Sequence, residues 1–145
     1  MEGIFMAKKL AIIVSDFNDE ITGKMERVAV EEAKKAGAQV VKAMHVPGAY
    51  DIPLIAKKMA ERKDVDAIVA LGAIIKGETG HDKVIAVACA KSLSEISLET
   101  GKPVMFGVIG PGATHEQAQK RAEGQAKRAV QGAIKMLGAL KELQK

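Results

Sequence analysis

The sequence predicts an α/β fold in which a four-stranded parallel sheet carries helices on both faces. Short runs of consecutive apolar residues alternate four times with segments whose apolar residues recur at helical spacing. Such strand–helix alternation is typical of a parallel sheet with right-handed crossovers. The 145 residues are 48% hydrophobic, enough to build a core in one domain. We therefore expect residues 1–145 to form a single domain.

The first half of the chain predicts two strand–helix units. Residues 10–14 form an apolar run, and the following helical spacing extends over residues 21–36, where Gly37 supplies a C-terminal cap. Residues 39–45 predict a second strand, and residues 52–62 predict a second helix.

The second half repeats this pattern. Residues 67–73 predict a third strand, residues 82–99 a third helix and residues 104–109 a fourth strand. Residues 114–117 have the form of a capping box, which opens a long helix that ends near Leu143. Ligands bind at the carboxyl ends of the strands in this class of fold. The corresponding loops are residues 15–18, 46–51, 74–81 and 110–115.

Composition argues against several classes of function. The net charge of +4 is scattered along the chain and aromatic residues make up 3%, which disfavours nucleic-acid binding. The single Cys89 cannot form an internal disulfide. Residues 1–9 lack the apolar core of a signal peptide, and no apolar run approaches the length of a membrane span. We expect a soluble, cytoplasmic protein.

The loop at residues 74–81 predicts an anion site beside a proton carrier. A buried strand leads into glycines and then into a helix N-terminus, where free N–H groups and the helix dipole attract an anion. Residues 77–80 are the candidate phosphate cradle, although an ordinary strand-to-helix turn is an equal alternative, and the sequence is not a P-loop. His81 can move a proton near neutral pH; the alternative is a surface histidine.

Other residues have both a structural and a functional interpretation. Phe17, in a polar loop, is either a loop anchor or a stacking platform for a planar ligand. Gly48 permits close approach of a ligand, and Asp51 is interpreted first as a helix cap. His45 is interpreted as a packed residue of a strand, and His115 as a surface residue. No histidine pair has metal-ligand spacing, so we expect no metal.

The predicted third helix is apolar around most of its circumference. A helix of this kind must be covered on several sides, and a four-stranded sheet cannot do this alone. We therefore expect a subunit interface there. Gly124 and Gly132 in the last helix predict close packing of another backbone, with plain tolerance as the alternative.

Taken together, the motifs resemble the lumazine synthases, over nearly the whole chain. The Gly110-Pro111-Gly112 sequence is similar to the archaeal branch of that family. The matching segments are residues 15–18, 21–22, 46–53, 70–81, 102–107 and 117–122.

The resemblance implies a flavodoxin-like fold and a specific reaction. Members condense 5-amino-6-(D-ribitylamino)uracil with 3,4-dihydroxy-2-butanone 4-phosphate, which gives 6,7-dimethyl-8-ribityllumazine, phosphate and water. This chemistry needs no cofactor and no metal. The resemblance also implies homopentamers, often stacked into decamers or sixty-subunit shells, with active sites between subunits, and riboflavin synthase as a candidate partner.

The resemblance further implies a role for each site residue. His81 is the expected catalytic proton donor or acceptor. The expected phosphate ligands are Glu78, Thr79 and, from a neighbouring subunit, Arg121. The residues expected around the ribitylaminouracil are Phe17, Ala49, Tyr50, Asp51, Ala73, Ile74, Ile75 and, from the neighbour, Phe106.

Three positions depart from the family pattern. Asp82 stands near a position where many members have an aromatic residue, and Asp51 replaces the commoner glutamate. Many members carry a lysine where this chain has Gln125, and Lys127 or Arg128 would have to replace it.

Two rival interpretations remain. The first is the paralogous archaeal riboflavin synthase, which dismutates the lumazine and lacks the motif of residues 77–81. The second is a flavodoxin-like carrier or shell that binds its ligand without turnover.

Overall fold

The computed structural model describes residues 7–145, so most of the N-terminal segment considered above lies outside the described residues. Strands and helices alternate as predicted, with one added 3₁₀ turn at Ala49–Asp51. The strands are β1 (Lys9–Ser15), β2 (Gln39–Val46), β3 (Ala67–Ile75) and β4 (Val104–Ala113). The helices are α1 (Asp19–Lys35), α2 (Ile52–Ala60), α3 (His81–Thr100) and α4 (His115–Leu143).

The four strands form one parallel sheet in the order β2-β1-β3-β4. β1 and β3 are the two central strands. Residues 10–15 of β1 and residues 67–74 of β3 are all buried. This explains why their sequences are continuous apolar runs, since each face of the central strands contacts a helix layer. The predicted three-layer, flavodoxin-like α/β fold is confirmed.

The core consists of two apolar layers, one on each face of the sheet. Along β1, Leu10, Ile12 and Val14 point to a layer shared with α1 and α4, whereas Ala11 and Ile13 point to a layer shared with α2 and α3. Side chains alternate between the faces of a strand, so one strand supplies both layers. The carboxyl ends of the strands therefore open at a single edge between the layers.

The fourth strand is longer than the sequence predicted. Residues 110–113 were expected to be a loop, but β4 continues through a cis Gly110–Pro111 bond to Ala113. The register with β3 shifts at this point, and the N–H of Lys76 donates to the carbonyl of Ala113 at 2.7 Å. Glycine and proline usually interrupt strands, and here they mark an irregularity within one.

The N-terminus of α4 follows the chemistry of its sequence. Thr114 and Gln117 form the predicted capping box: the Thr114 hydroxyl accepts from the Gln117 N–H at 3.1 Å, and the Gln117 side chain accepts from the Thr114 N–H.

Among residues 7–145, no helix is long and apolar enough to cross a membrane.

The sequence predicted that another backbone packs against Gly124 and Gly132 of α4, but side chains lie there instead. A Cβ atom at Gly132 would lie 2.6 Å from the terminal methyl of Met105, so a β4 side chain, not another backbone, occupies this space. At Gly124 the nearest atoms belong to Arg128 of the same helix.

Candidate functional site

The loops after β1 and β2 are joined by backbone hydrogen bonds at the carboxyl edge of the sheet. The N–H of Asp16 donates to the carbonyls of Val46 and Pro47, at 2.8 and 3.1 Å. The N–H of Phe17 donates to the carbonyl of Pro47 at 3.0 Å. Two segments predicted separately as ligand loops therefore form one surface.

The ring of Phe17 lies over Gly48 and remains largely open to solvent. A Cβ atom at Gly48 would lie 2.8 Å from two ring carbons of Phe17, and the phenylalanine is 65% exposed. An exposed aromatic ring supported on one side is suited to stack on a planar ligand. The sequence predicted that a ligand approaches Gly48 closely, but the group that does so is the ring of Phe17.

Asp51 differs from the predicted helix cap. It occupies the N-cap position of α2, but its side chain makes no capping hydrogen bond there. The carboxylate instead accepts from the N–H of Gly48 at 3.0 Å. Asp51 therefore stabilises the turn beneath Phe17.

A pocket of about 170 Å³ opens beside this ring. Five residues of the predicted uracil site line it together: Phe17, Ala49, Ala73, Ile74 and Ile75. We refer to this cavity as the ring pocket. Most of its exposed surface is apolar, as expected of a site that holds a flat heterocycle against backbone groups at a strand end.

Asn18 and Ile85 also line the ring pocket and were missed as site residues. Asn18 adopts a left-handed conformation with φ 66°, and its side-chain amide donates to the carbonyl of Ala73 at 3.1 Å. This bond ties the Phe17 loop to β3. An asparagine after an aromatic loop residue was the available signal, since asparagine tolerates this conformation. Ile85 carried no signal, because it resembles any apolar residue of α3.

The predicted phosphate loop leads directly into α3. Glu78 and Thr79 are exposed, Gly80 has φ 72° at the N-cap, and His81 is the first residue of the helix, also exposed. The first-turn N–H groups of a helix lack intrahelical partners, so this end of α3 can accept an anion. The loop and the ring pocket share β3, which ends in the pocket and continues into the loop.

Asp82 holds the end of β4 against the start of α3. Its carboxylate is buried and accepts from the N–H of Gly112 at 2.8 Å. Asp82 stands near an aromatic position of the family pattern, and here the residue has a structural role. It fixes the irregular end of β4 beside His81.

Within one chain, the residues that line the ring pocket do not include Tyr50, Phe106 or Arg121. Tyr50 is exposed and lines a separate cavity with Cys89. Phe106 is half-buried in β4 and packs with the α2–α3 layer, and Arg121 is exposed on α4. Phe106 and Arg121 are the two residues that the resemblance assigns to a neighbouring subunit.

The cations considered as replacements at Gln125 interact with their own helix. Lys127 pairs with Glu123 at 3.3 Å, and Arg128 donates to the side chain of Gln125 at 3.2 Å. Neither contact extends toward the phosphate loop.

His45 is not the packed residue that the sequence predicted. Its side chain is 45% exposed and bridges two carboxylates: Nδ1 lies 2.6 Å from Asp16 Oδ1, and Nε2 lies 2.8 Å from Glu26 Oε1. The hydrogen bond with Asp16, aided by Glu26, raises the pKa of His45 against the opposing effect of burial. β2 is an edge strand, which explains why this position faces solvent.

Cys89 is an unsuitable nucleophile in this structure. Burial raises the pKa of its thiol to about 11, so the thiol is protonated near neutral pH. Among residues 7–145, no group of three histidine, cysteine, aspartate or glutamate side chains is arranged to hold a metal ion.

Comparison with known proteins agrees with the geometry. Residues 7–141 match the family model of 6,7-dimethyl-8-ribityllumazine synthase. The chain is 47% identical to the 6,7-dimethyl-8-ribityllumazine synthase of Methanopyrus kandleri, over 94% of this chain and 96% of the relative. It is 48% identical to that of Metallosphaera sedula, over 93% and 89%, and 45% identical to that of Pyrobaculum arsenaticum, over 93% and 90%.

These relatives are archaeal, in agreement with the branch that Gly110-Pro111-Gly112 indicated. The matched region includes every predicted site residue. The chain belongs to the 6,7-dimethyl-8-ribityllumazine synthase family and is an enzyme of riboflavin biosynthesis, a transferase that forms this lumazine.

Proposed function

We propose that the lumazine-forming condensation takes place between the ring pocket and the N-terminus of α3. The substrates are 5-amino-6-(D-ribitylamino)uracil and 3,4-dihydroxy-2-butanone 4-phosphate. The observation that carries this proposal is the ring pocket itself, because five residues assigned to the ribitylaminouracil, from three separate segments of the chain, line one cavity.

The pyrimidine ring stacks on Phe17 in this proposal. Backbone groups of Ala73, Ile74 and Ile75 bind the uracil edge, where β3 ends in the ring pocket. The ribityl chain extends along the turn that contains Ala49, Tyr50 and Asp51. The apolar pocket orients the ring, and few polar contacts set its register.

The phosphate of the ketone binds at residues 78–79. Glu78 acts through its backbone N–H, because a carboxylate beside phosphate would repel it. The α3 N-terminus adds its dipole and free N–H groups. This arrangement stabilises the negative charge on the departing phosphate.

His81 moves the proton. The amine of the uracil substrate attacks the ketone carbonyl to give an imine with loss of one water, and phosphate then leaves. His81, as the first residue of α3, is placed beside the phosphate loop, where an imidazole can accept and return a proton. Ring closure and loss of a second water complete the lumazine. Holding both substrates at adjacent sites supplies much of the acceleration.

A neighbouring subunit completes the site in this proposal. The ring pocket holds about 170 Å³, below the roughly 300–1,000 Å³ usual for a small-molecule site, so one chain supplies part of the enclosure. Phe106 then closes over the ring and Arg121 binds the phosphate, both from the neighbour. Arginine suits this role because its planar fork donates two hydrogen bonds to phosphate.

The surface of α3 supports such an assembly. Val84 and Val87 are 65% and 64% exposed, and with Lys83 and Ala88 they line an almost wholly apolar depression. We refer to these four residues as the α3 patch. Association through this patch gives a pentamer or a multiple of it. The assembly, its cytoplasmic location, the single domain over residues 1–145 and an interaction with riboflavin synthase all belong to the proposal.

The test is a reaction with both substrates and the purified protein. We expect lumazine and phosphate to form in equal amounts, followed by absorbance and by a phosphate assay. Riboflavin formed from added lumazine, with no product from the two substrates, would indicate the paralogous riboflavin synthase. Tight lumazine binding without phosphate release would indicate a carrier.

A further inference from the structure

His45 connects three elements around the loop that carries Phe17. It lies near the end of β2, opposite Val14 of β1 in the sheet register. One ring nitrogen bonds to Asp16, the residue before Phe17, and the other bonds to Glu26 on α1. The two carboxylates are the charged groups that face the imidazole, one from the β1 loop and one from α1.

The bond to Asp16 adds to two other restraints on this loop, the Asn18 side-chain bond to Ala73 and the backbone hydrogen bonds to the turn after β2. The N–H groups of Asp16 and Phe17 both donate to carbonyls of the turn after β2, and His45 precedes that turn. The Phe17 loop is therefore joined to the end of β2 twice, by the imidazole of His45 through Asp16 and by the backbone hydrogen bonds of Asp16 and Phe17. Phe17 has little other support, since Gly48 contacts one side and most of the residue is exposed.

We propose that His45 is a positioning residue, which holds the Phe17 loop in its ligand-ready conformation by bridging Asp16 and Glu26. It touches no reacting atom in the proposed site. We refer to the His45 contacts with Asp16 and Glu26 as the clamp. The observed distances support the clamp by themselves, and only its effect on catalysis rests on the proposed function.

The clamp depends on the charge of the ring. An imidazolium donates from both nitrogens and satisfies both carboxylates, whereas neutral imidazole has one donor, so a lone pair then faces one carboxylate. The contacts raise the pKa of His45 above its ordinary value of 6.5. The clamp is therefore fully formed below pH 6.5 and weakens as pH rises through the higher pKa of the folded protein.

Amide hydrogen exchange tests the clamp without any assumption about activity. We compare the wild-type protein with His45→Gln by mass spectrometry of the peptide that contains Asp16 and Phe17. Near pH 6 we expect the variant to exchange these amides about two- to fivefold faster, the size of effect that an exposed charged contact supports. The difference should shrink at a second, higher pH, because the wild-type imidazole loses its charge as the pH rises through its raised pKa.

His115→Gln is the matched control. His115 is also an exposed histidine bonded to a carboxylate, that of Glu20, but its side chain forms no hydrogen bond with Asp16 or with the turn after β2. Its loss should leave exchange at Asp16 and Phe17 within twofold of wild type. Equal exchange in wild type and His45→Gln at both pH values would overturn the proposal.

Steady-state kinetics separate positioning from general destabilisation. In His45→Gln we expect the KM for the uracil substrate to rise about two- to fivefold at low pH, with kcat and the KM for the ketone phosphate within twofold. The wild-type KM should rise with pH toward the variant value. Faster exchange with an unchanged KM would support the clamp and refute stacking on Phe17; a uniform loss of kcat without faster exchange would refute the clamp.

Discussion

At the scale of single residues, the site depends on how closely Gly48 approaches Phe17. Gly48 has an extended backbone that any residue can adopt, and an added Cβ would be too close only to the ring, since Asp51 Oδ2 at 3.6 Å lies at an ordinary van der Waals distance. The effect of a substitution at Gly48 can therefore be attributed to displacement of Phe17 and not to backbone strain.

Gly48→Ala should displace the ring and weaken binding of the uracil substrate. The added methyl would lie 2.8 Å from two ring carbons, so the ring must move. We expect the KM for this substrate to rise about two- to tenfold, because aromatic stacking contributes about 0.5–1.5 kcal/mol. Gly23→Ala is the control: it lies inside α1 with only the end of Arg27 nearby, and it should leave KM unchanged. Equal KM values for the two variants would contradict the stacking role.

His81→Ala should lower kcat by about 10²- to 10⁴-fold, as expected on removal of an acid–base group. Binding of both substrates should persist, since the backbone of the phosphate loop remains. His115→Ala, a second exposed histidine at the start of a helix, should retain activity. Stopped-flow measurement of phosphate release provides the test, and an unchanged rate would remove His81 from the mechanism.

At the scale of elements, the end of β4 shows where the sequence was insufficient. The other strands were predictable because buried central strands are continuous apolar runs. Residues 110–113 contain Gly-Pro-Gly, which ordinarily terminates a strand, and only the pairing with Lys76 and the bond to Asp82 keep them in the sheet. Those contacts join positions 30 and 37 residues apart, so no local pattern reveals them.

The environment of His45 also could not be predicted from a local sequence pattern. Its strand was predicted correctly, but its exposure depends on β2 lying at the edge of the sheet, and strand order is not a local property of the sequence. Five residues that line the ring pocket could be named from the sequence because the resemblance groups them around one ligand, whereas Asn18 could be recognised only from its bond to Ala73.

Asp82→Ala should loosen the end of β4. The substitution leaves the N–H of Gly112 without its charged acceptor, which should lower the free energy of unfolding by about 1–3 kcal/mol. Asp82→Asn keeps an oxygen that can accept this N–H and should retain much of the stability. Chemical denaturation of both variants tests this, and equal losses would show that the hydrogen bond is not the stabilising contact.

At the scale of the whole molecule, the account requires an assembly. The α3 patch exposes valines that no other described residue of the chain covers, and Phe106 and Arg121 are not among the residues that line the ring pocket of their own chain. Both observations are explained if neighbouring chains share each site.

Val87→Glu should dissociate this assembly. A carboxylate placed in an apolar contact loses its hydration, a cost that an ion pair with the neighbouring Lys83 offsets only in part. We expect mass photometry to show the wild type as a pentamer or a multiple and the variant as smaller species with little activity. Ser94→Glu, at an already polar exposed position of α3, controls for added charge. A monomeric, active wild type would exclude a shared site.

A structure of the assembled protein with the ribitylaminouracil bound tests the central claim most directly. The account predicts the pyrimidine stacked on Phe17 in the ring pocket, its edge bonded to the backbone of residues 73–75, and Phe106 of a neighbouring subunit against it. A ring bound elsewhere, or one enclosed by a single chain with Phe17 turned away, would contradict it.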